Sequence, residues 1–223
     1  MKNFNLAIDG PAGAGKSTIA KRIAKQLGFI YVDTGAMYRA MALYFLRNRI
    51  EASDSARIEA VCKDVDITIE YKDGEQFVIL NGENVNGLIR TEEVGNMASA
   101  SSVNKAVRLK LVELQQALAA KANVVMDGRD IGTYVLPNAD LKIYLTASTK
   151  ERAKRRWAEL KEKGLPADLD EIEKDIIERD NRDMTREFAP LRQAEDAIYL
   201  DSSELQIDEV VEKILDLYHA RVK

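Results

Sequence analysis

Short apolar runs recur along the chain, each ending on an acidic or glycine residue. Residues 4–8 (Phe-Asn-Leu-Ala-Ile) run into Asp9 and Gly10 and predict a buried strand. From Lys16 to Leu27, Ile19, Ala20, Ile23, Ala24 and Leu27 form a helical stripe, and Gly28 stands where a helix closes. A second strand is predicted at 29–32 and a helix at about 35–48. Val124–Val125–Met126, ended by Asp127 and Gly128, predicts a third strand, with further strands at 141–145 and 197–200 and a last helix at about 207–221. Strands alternating with helices imply an α/β fold: a five-stranded parallel sheet covered by helices on both faces.

Two stretches interrupt this alternation. Residues 65–69 alternate, Asp73-Gly74 suggests a turn, 77–80 form another run, and Asn81-Gly82 suggests a second turn. A small antiparallel β insert is therefore expected at roughly 62–92. Residues 148–164 are strongly charged and end on Gly164, just before Pro166. They suit a helical lid, hinged at the glycine, that closes over a ligand. The whole chain, 1–223, reads as one domain carrying these two features.

Residues 10–18 carry the sharpest motif: Gly10, Pro11, Ala12, Gly13, Ala14, Gly15, Lys16, Ser17, Thr18. They fit G-x-x-x-x-G-K-[ST], with an apolar strand before and an amphipathic helix after, as that motif requires. Glycines turn backbone N–H groups inward into an anion nest, and the helix N-terminus adds partial positive charge. Lys16 then reaches the β- and γ-phosphates of ATP, and Ser17 can ligate Mg²⁺. The chain lacks the D-x-x-G and N-K-x-D motifs of a switch GTPase, and its length suits a small kinase.

Composition narrows the chemistry. One Cys (Cys62) and one His (His219) in 223 residues exclude an internal disulfide and the usual Cys/His zinc sites, and disfavour nucleophilic triads. Carboxylates, Lys, Arg and backbone amides are left to do the work. The net charge of -4 argues against a broad nucleic-acid surface. No run reaches membrane-spanning length, and the N-terminus lacks a signal h-region. These features predict a cytoplasmic protein without nucleic-acid or membrane partners, with a monomer as the default state.

Candidate acceptor residues follow the second and third strands, where open α/β sheets bind ligands. Asp33 to Arg39 reads DTGAMYR, and Asp127 to Thr133 reads DGRDIGT. Asp127 can orient Mg²⁺ or its waters, while Arg39, Arg129 and Asp130 can meet a second substrate. Either aspartate closing a strand, Asp33 or Asp127, can instead serve only as a cap or turn residue. Arg152, Arg155 and Arg156 share one helical face, and Arg179, Arg182 and Arg186 another, with Asp183 among them. Planar cations of this kind neutralise two approaching phosphates. The plainer alternative is a solvated helix with ordinary Glu–Arg pairs such as Glu178–Arg182.

Taken in order, IDGPAGAGKST, VDTGAMYRA, IRTEEVGNMAS, DGRDIGT and ERDNRDMTREFAPL resemble the bacterial cytidylate kinase family of the nucleoside-monophosphate kinases. The resemblance runs over nearly the whole chain. It implies ATP-dependent phosphorylation of CMP and dCMP. It implies that Arg39, Arg129 and Arg186 hold the acceptor phosphate and that Asp130 meets the cytosine. Ser99 and Arg108 are matched by spacing as further base readers, with Ser101 and Ser102 close enough to compete for the serine's role. Arg179 and Asp183 correspond to ribose contacts. Thr34 keeps the hydroxyl that is a serine's in some members, and the 62–92 insert corresponds to the family's monophosphate-side insert. Cytosine's N4 amino group donates to a carboxylate, whereas uracil presents an oxygen there, so Asp130 discriminates the two. A kinase for UMP, or for a small hydroxyl metabolite with Asp33 as base, is the alternative.

Overall fold

The computed structural model describes residues 3–72 and 75–222. Its centre is a five-stranded parallel sheet built from β1 (Asn5–Asp9), β2 (Ile30–Asp33), β6 (Val124–Gly128), β7 (Leu141–Thr146) and β8 (Ile198–Asp201). The spatial order is β2-β6-β1-β7-β8. Asp9 of β1 stands level with Gly128 of β6 and Tyr144 of β7, and Asp33 of β2 is level with Asp127. The carboxyl ends of the three strands that bear candidate residues are thereby brought side by side.

Alternation along β1 sets the two layers, because successive side chains point to opposite faces. Leu6 and Ile8 pack with Ile19 and Ile23 of α1 (Lys16–Leu27) and with Val210 and Ile214 of α8 (Ile207–Arg221). Ala7 faces the other way, in a core with Met37, Met41 and Phe45 of α2 (Thr34–Arg47) and Val107 and Leu111 of α5 (Lys105–Ala119). Helices do cover both faces, as the apolar runs predict. Gly28 closes α1 in a left-handed conformation, its N–H bonded to the Ala24 carbonyl.

Between α3 (Ser55–Cys62) and α4 (Glu92–Ser101) lies a three-stranded antiparallel sheet of β3 (Ile67–Lys72), β4 (Glu75–Leu80) and β5 (Glu83–Asn84). The expected Asp73-Gly74 turn lies outside the described residues. This small sheet is fastened to the main one: the Tyr71 hydroxyl donates to the Tyr31 carbonyl at 2.8 Å, and the Gln76 side-chain oxygen accepts from the Asp33 N–H at 2.9 Å. β4 therefore abuts the very strand end that begins the DTGAMYR motif.

The charged segment 148–164 forms α6 (Thr149–Glu162), and α7 (Leu169–Thr185) packs beside it. α7 ends before Arg186, whose backbone is extended. The single helical face expected for Arg179, Arg182 and Arg186 is thus interrupted at its last member. After β6, residues Ile131–Val135 form one π-helical turn. Among the described residues, no helix is long and apolar enough to cross a membrane.

Candidate active site

The loop between β1 and α1 forms the phosphate cradle. Gly13 (φ 76°) and Gly15 (φ 86°) adopt left-handed conformations that a side chain would strain. No side chain caps α1, so its first N–H groups stay available to an anion. The buried Lys16 ammonium donates to the Pro11 carbonyl at 2.8 Å. Burial, followed by the nearby Arg129 cation, lowers its pKa to about 7. The Ser17 hydroxyl donates to Asp127 Oδ2 at 2.9 Å, and the Tyr31 hydroxyl to Asp127 Oδ1 at 2.8 Å. Burial and then the Asp33 charge raise the Asp127 pKa to about 6.

Arg152 lies against this loop. Its guanidinium donates to the carbonyls of Ala147 and Ala12, both at 2.9 Å, and to Asp180 Oδ2 at 2.6 Å. A Cβ on Gly13 would stand only 3.2 Å from the Arg152 Cβ. The buried Arg152–Asp180 pair ties α6 and α7 to each other, and Arg152 ties both to the cradle.

A second cluster lies beyond the ends of β2 and β6. Asp130 is buried and ion-paired with Arg108, itself 1% exposed and over the Tyr38 ring at 5.4 Å. Arg186 reaches Asp130 at 3.5 Å and Asp183 at 3.7 Å, and Arg129 donates to Asp183 at 2.8 Å. Burial lowers the Arg179 pKa to about 10, with Arg129 and Arg39 adding repulsion while Asp183 and Asp180 oppose it. Arg39 is lowered by burial too, and Arg90 and Arg129 push the same way against Asp33. Guanidinium groups crowded this closely mark a place for an anion, which relieves their mutual repulsion. The Nε atoms of Arg108 and Arg179 are buried with no hydrogen-bond partner, leaving donors for a ligand.

Most residues singled out from the sequence converge here, from Lys16, Ser17 and Asp127 on the cradle side to Arg39, Arg108, Arg129, Asp130, Arg179, Asp183 and Arg186 opposite. Others have different partners. Arg156 is not brought to the cradle: it is exposed and bonded to Glu159 at 2.8 Å. Arg155, expected on the same face, binds the Ser202 carbonyl at 2.6 Å. Thr34 is buried and its hydroxyl donates to the Asp127 carbonyl at 2.7 Å, tying the ends of β2 and β6 together. Asp33 caps α2 through the Ala36 N–H and pairs with Arg90 at 2.6 Å. Of the three serines, Ser101 and Ser102 donate back to carbonyls within their own helix, those of Met97 and Ser99. The Ser99 hydroxyl instead accepts from Arg182 of α7 at 3.0 Å.

Asp9, Arg90, Tyr31 and Asp180 are not among the site residues expected from the sequence. Asp9 carried the same signal as Asp33 and Asp127, a carboxylate closing an apolar strand, and that signal is enough to find it. Its carboxylate accepts from the N–H groups of Ile131 and Gly132, both at 2.7 Å. Burial raises its pKa to about 7, although those two bonds oppose the shift.

A phosphate cradle at the head of a parallel sheet, facing a buried set of arginines and carboxylates, defines a P-loop phosphotransferase. In fold the chain is similar to a shikimate kinase from Bacteroides thetaiotaomicron (TM-score 0.51, 17% identity, 97% of this chain and 98% of that one). The cytidylate kinase family model matches residues 6–220. A cytidylate kinase of Caldicellulosiruptor bescii is 55% identical over 223 residues, covering 100% of this chain and 99% of that protein. One from Caldicellulosiruptor saccharolyticus is 55% identical over 219 residues, or 98% and 97% of the two chains. The chain belongs to the cytidylate kinase family.

Proposed function

We propose that the protein transfers the γ-phosphoryl group of ATP to CMP and dCMP, giving ADP and CDP or dCDP. The observation that carries this reading is the buried Asp130–Arg108 pair next to crowded arginines. Asp130 is the acceptor that cytosine N4 needs, and Arg108 supplies donors for O2 and N3. A uracil oxygen facing Asp130 would leave two acceptors opposed and unpaired, which gives strong discrimination. Ser99, the serine whose hydroxyl is not bonded back into its own helix, assists in reading the base, and Arg179 and Asp183 take the ribose.

Transfer of this kind rests on positioning and charge neutralisation rather than on a protein base. Lys16 and the backbone N–H groups of residues 10–18 hold the donor phosphates. Arg39, Arg129 and Arg186 hold the acceptor phosphate, whose oxygen is anionic already and needs no deprotonation. Arg152 anchors the base of the lid helix to the cradle, a fixed point about which the rest of the lid can turn. The lid, residues 148–164, closes to exclude water and brings Arg156 over the phosphates. The sheet within residues 62–92 closes the acceptor side.

The residues also fit Mg²⁺. Ser17 Oγ and Asp127 Oδ2 lie 2.9 Å apart beneath the cradle, hard oxygen donors of the kind this ion takes together with phosphate oxygens and water. When bound there, Mg²⁺ neutralises charge on the β- and γ-phosphates. The chain would act as a cytoplasmic monomer in pyrimidine nucleotide metabolism, without nucleic-acid or membrane partners. A hydroxyl acceptor is disfavoured because Asp33, its candidate base, is committed to capping α2 and pairing with Arg90. A coupled assay across CMP, dCMP, UMP and AMP tests the proposal. Turnover of the two cytidylates with weak use of UMP and AMP is expected; comparable turnover of CMP, UMP and AMP removes the specificity.

A further inference from the structure

Asp130 stands at the N-cap of the π-turn Ile131–Val135, yet its side chain makes no cap hydrogen bond. That is unusual for an aspartate, which at this position normally bonds the first free N–H groups of its own helix. Here Asp130 faces away, toward Arg108 and Arg186. The first two N–H groups of the turn, those of Ile131 and Gly132, are both taken at 2.7 Å by Asp9, from the end of β1 and more than 120 residues away in sequence; the Gly132 N–H is one that an N-cap side chain would otherwise reach.

We infer that Asp9 is a positioning residue for base selection: it caps the π-turn from outside and thereby leaves the Asp130 carboxylate free to read the base. Three observations converge on this. Asp9 engages both N–H groups at once, one with each carboxylate oxygen, which fixes the turn in orientation as well as in position. The turn is closely packed at Gly132: a Cβ there would lie 3.1 Å from the Lys142 side chain and 3.3 Å from Asp9 Oδ2, so Asp9 and Lys142 lie directly against the turn's backbone. Asp130 in turn is directed at the Arg108–Tyr38 stack by the backbone that Asp9 holds. Without Asp9 the Gly132 N–H loses its acceptor, and Asp130, at the N-cap of the turn, would swing back to take it. Asp9 also immediately precedes the phosphate cradle, so one strand end seats the donor phosphates and aligns the reader of the acceptor.

The inference rests on the proposed role of Asp130, and the test separates the two. The readout is the ratio of kcat/KM for CMP to that for UMP, measured with ATP as the common donor. This ratio is unaffected by the folded fraction or by donor-side damage, so a merely structural role does not move it. Asp9→Asn keeps the shape but turns one acceptor into a donor, and should lower the ratio about tenfold; Asp130→Asn should lower it at least as much. Asp9→Glu, which restores both acceptors, should recover part of the ratio. A ratio that falls in Asp130→Asn but stays within twofold in Asp9→Asn overturns the Asp9 inference alone. A ratio unchanged in Asp130→Asn overturns the base-reading role and the inference with it. If Asp9→Asn does not fold, hydrogen exchange on the wild-type enzyme decides: the Ile131 and Gly132 amides should be strongly protected, and exchange as fast as in an open loop overturns the inference.

Discussion

The Ser17 hydroxyl donates to the Asp127 carboxylate at 2.9 Å, although 110 residues separate the two in sequence. The pair joins the phosphate cradle to the end of the neighbouring strand, where a divalent ion bound to phosphate needs its protein oxygens. Asp127→Asn is therefore expected to lower kcat about 100-fold and to raise the Mg²⁺ concentration for half-maximal rate. Ser17→Ala should shift the same midpoint less. A Mg²⁺ titration at fixed ATP makes the measurement, and an unchanged midpoint in both variants rejects the assignment.

Arg39 lies among cations and retains Asp33 as its main counter-charge. Arg39→Ala should raise KM for CMP about 100-fold while ATP binding persists. Steady-state kinetics together with a nucleotide titration separate the two sides. Equal loss of ATP binding means that the donor and acceptor sides are wrongly assigned.

Lys16 carries the pH dependence. Burial, followed by Arg129, holds its pKa to about 7 in the free protein, so at pH 8 the amine is mostly neutral. Phosphate charge favours the ammonium form. ATP binding at pH 8 should therefore take up as much as about one proton per site, and affinity should fall as pH rises through 7. Calorimetry in two buffers of different ionisation enthalpy reads the uptake, and Lys16→Met should abolish it. A binding heat independent of buffer contradicts the assignment.

The three serines at the end of α4, Ser102 being its C-cap, should separate cleanly. Ser99→Ala is expected to raise KM for CMP about fivefold. Ser101→Ala loses a buried bond to the Met97 carbonyl and should cost about 1 kcal/mol of stability, leaving KM unchanged. Ser102→Ala should change neither quantity much. Kinetics and urea melts on the three variants would settle which hydroxyl reads the base.

Gly10 admits no side chain. At φ 149° a Cβ there would fall 1.9 Å from the Leu145 carbonyl oxygen, on the strand next to β1. Gly10→Ala should destabilise the protein by about 3 kcal/mol or more, since backbone rather than a flexible side chain must move. Urea denaturation gives the value, and a loss below about 1 kcal/mol would show that the loop relaxes freely.

The parallel sheet was legible because buried strands leave continuous apolar runs, and the cradle because glycines, Lys16 and Ser17 must occur in fixed order. Arg39 and Arg129 were legible by their positions beyond the ends of β2 and β6. The partners within the site were harder to read. Arg179, Arg182 and Arg186 share a helical period, but the helix stops at Thr185 and Arg182 turns to Ser99. Nothing local in the sequence marks that stop or that partner. Thr34 keeps a hydroxyl that suits a ligand, yet tertiary packing gives it the Asp127 carbonyl. Asp9 closes an apolar strand as Asp33 and Asp127 do, but what it holds is hidden from the local sequence, because its partners lie more than 120 residues further on.

Sheet order also governs when the protein can begin to work during its own synthesis. β6 lies between β1 and β2, although it follows them by about 90 residues or more. A nascent chain that has emerged only through α5 carries the complete nucleotide-binding motif but lacks Asp127, Arg129 and Asp130. It also lacks the strand that holds β1 and β2 in register. Long-range pairing of this kind forms late and cooperatively. Prematurely terminated chains should therefore be inert fragments that do not sequester ATP, and the catalytic centre should appear in one step once the middle strand inserts.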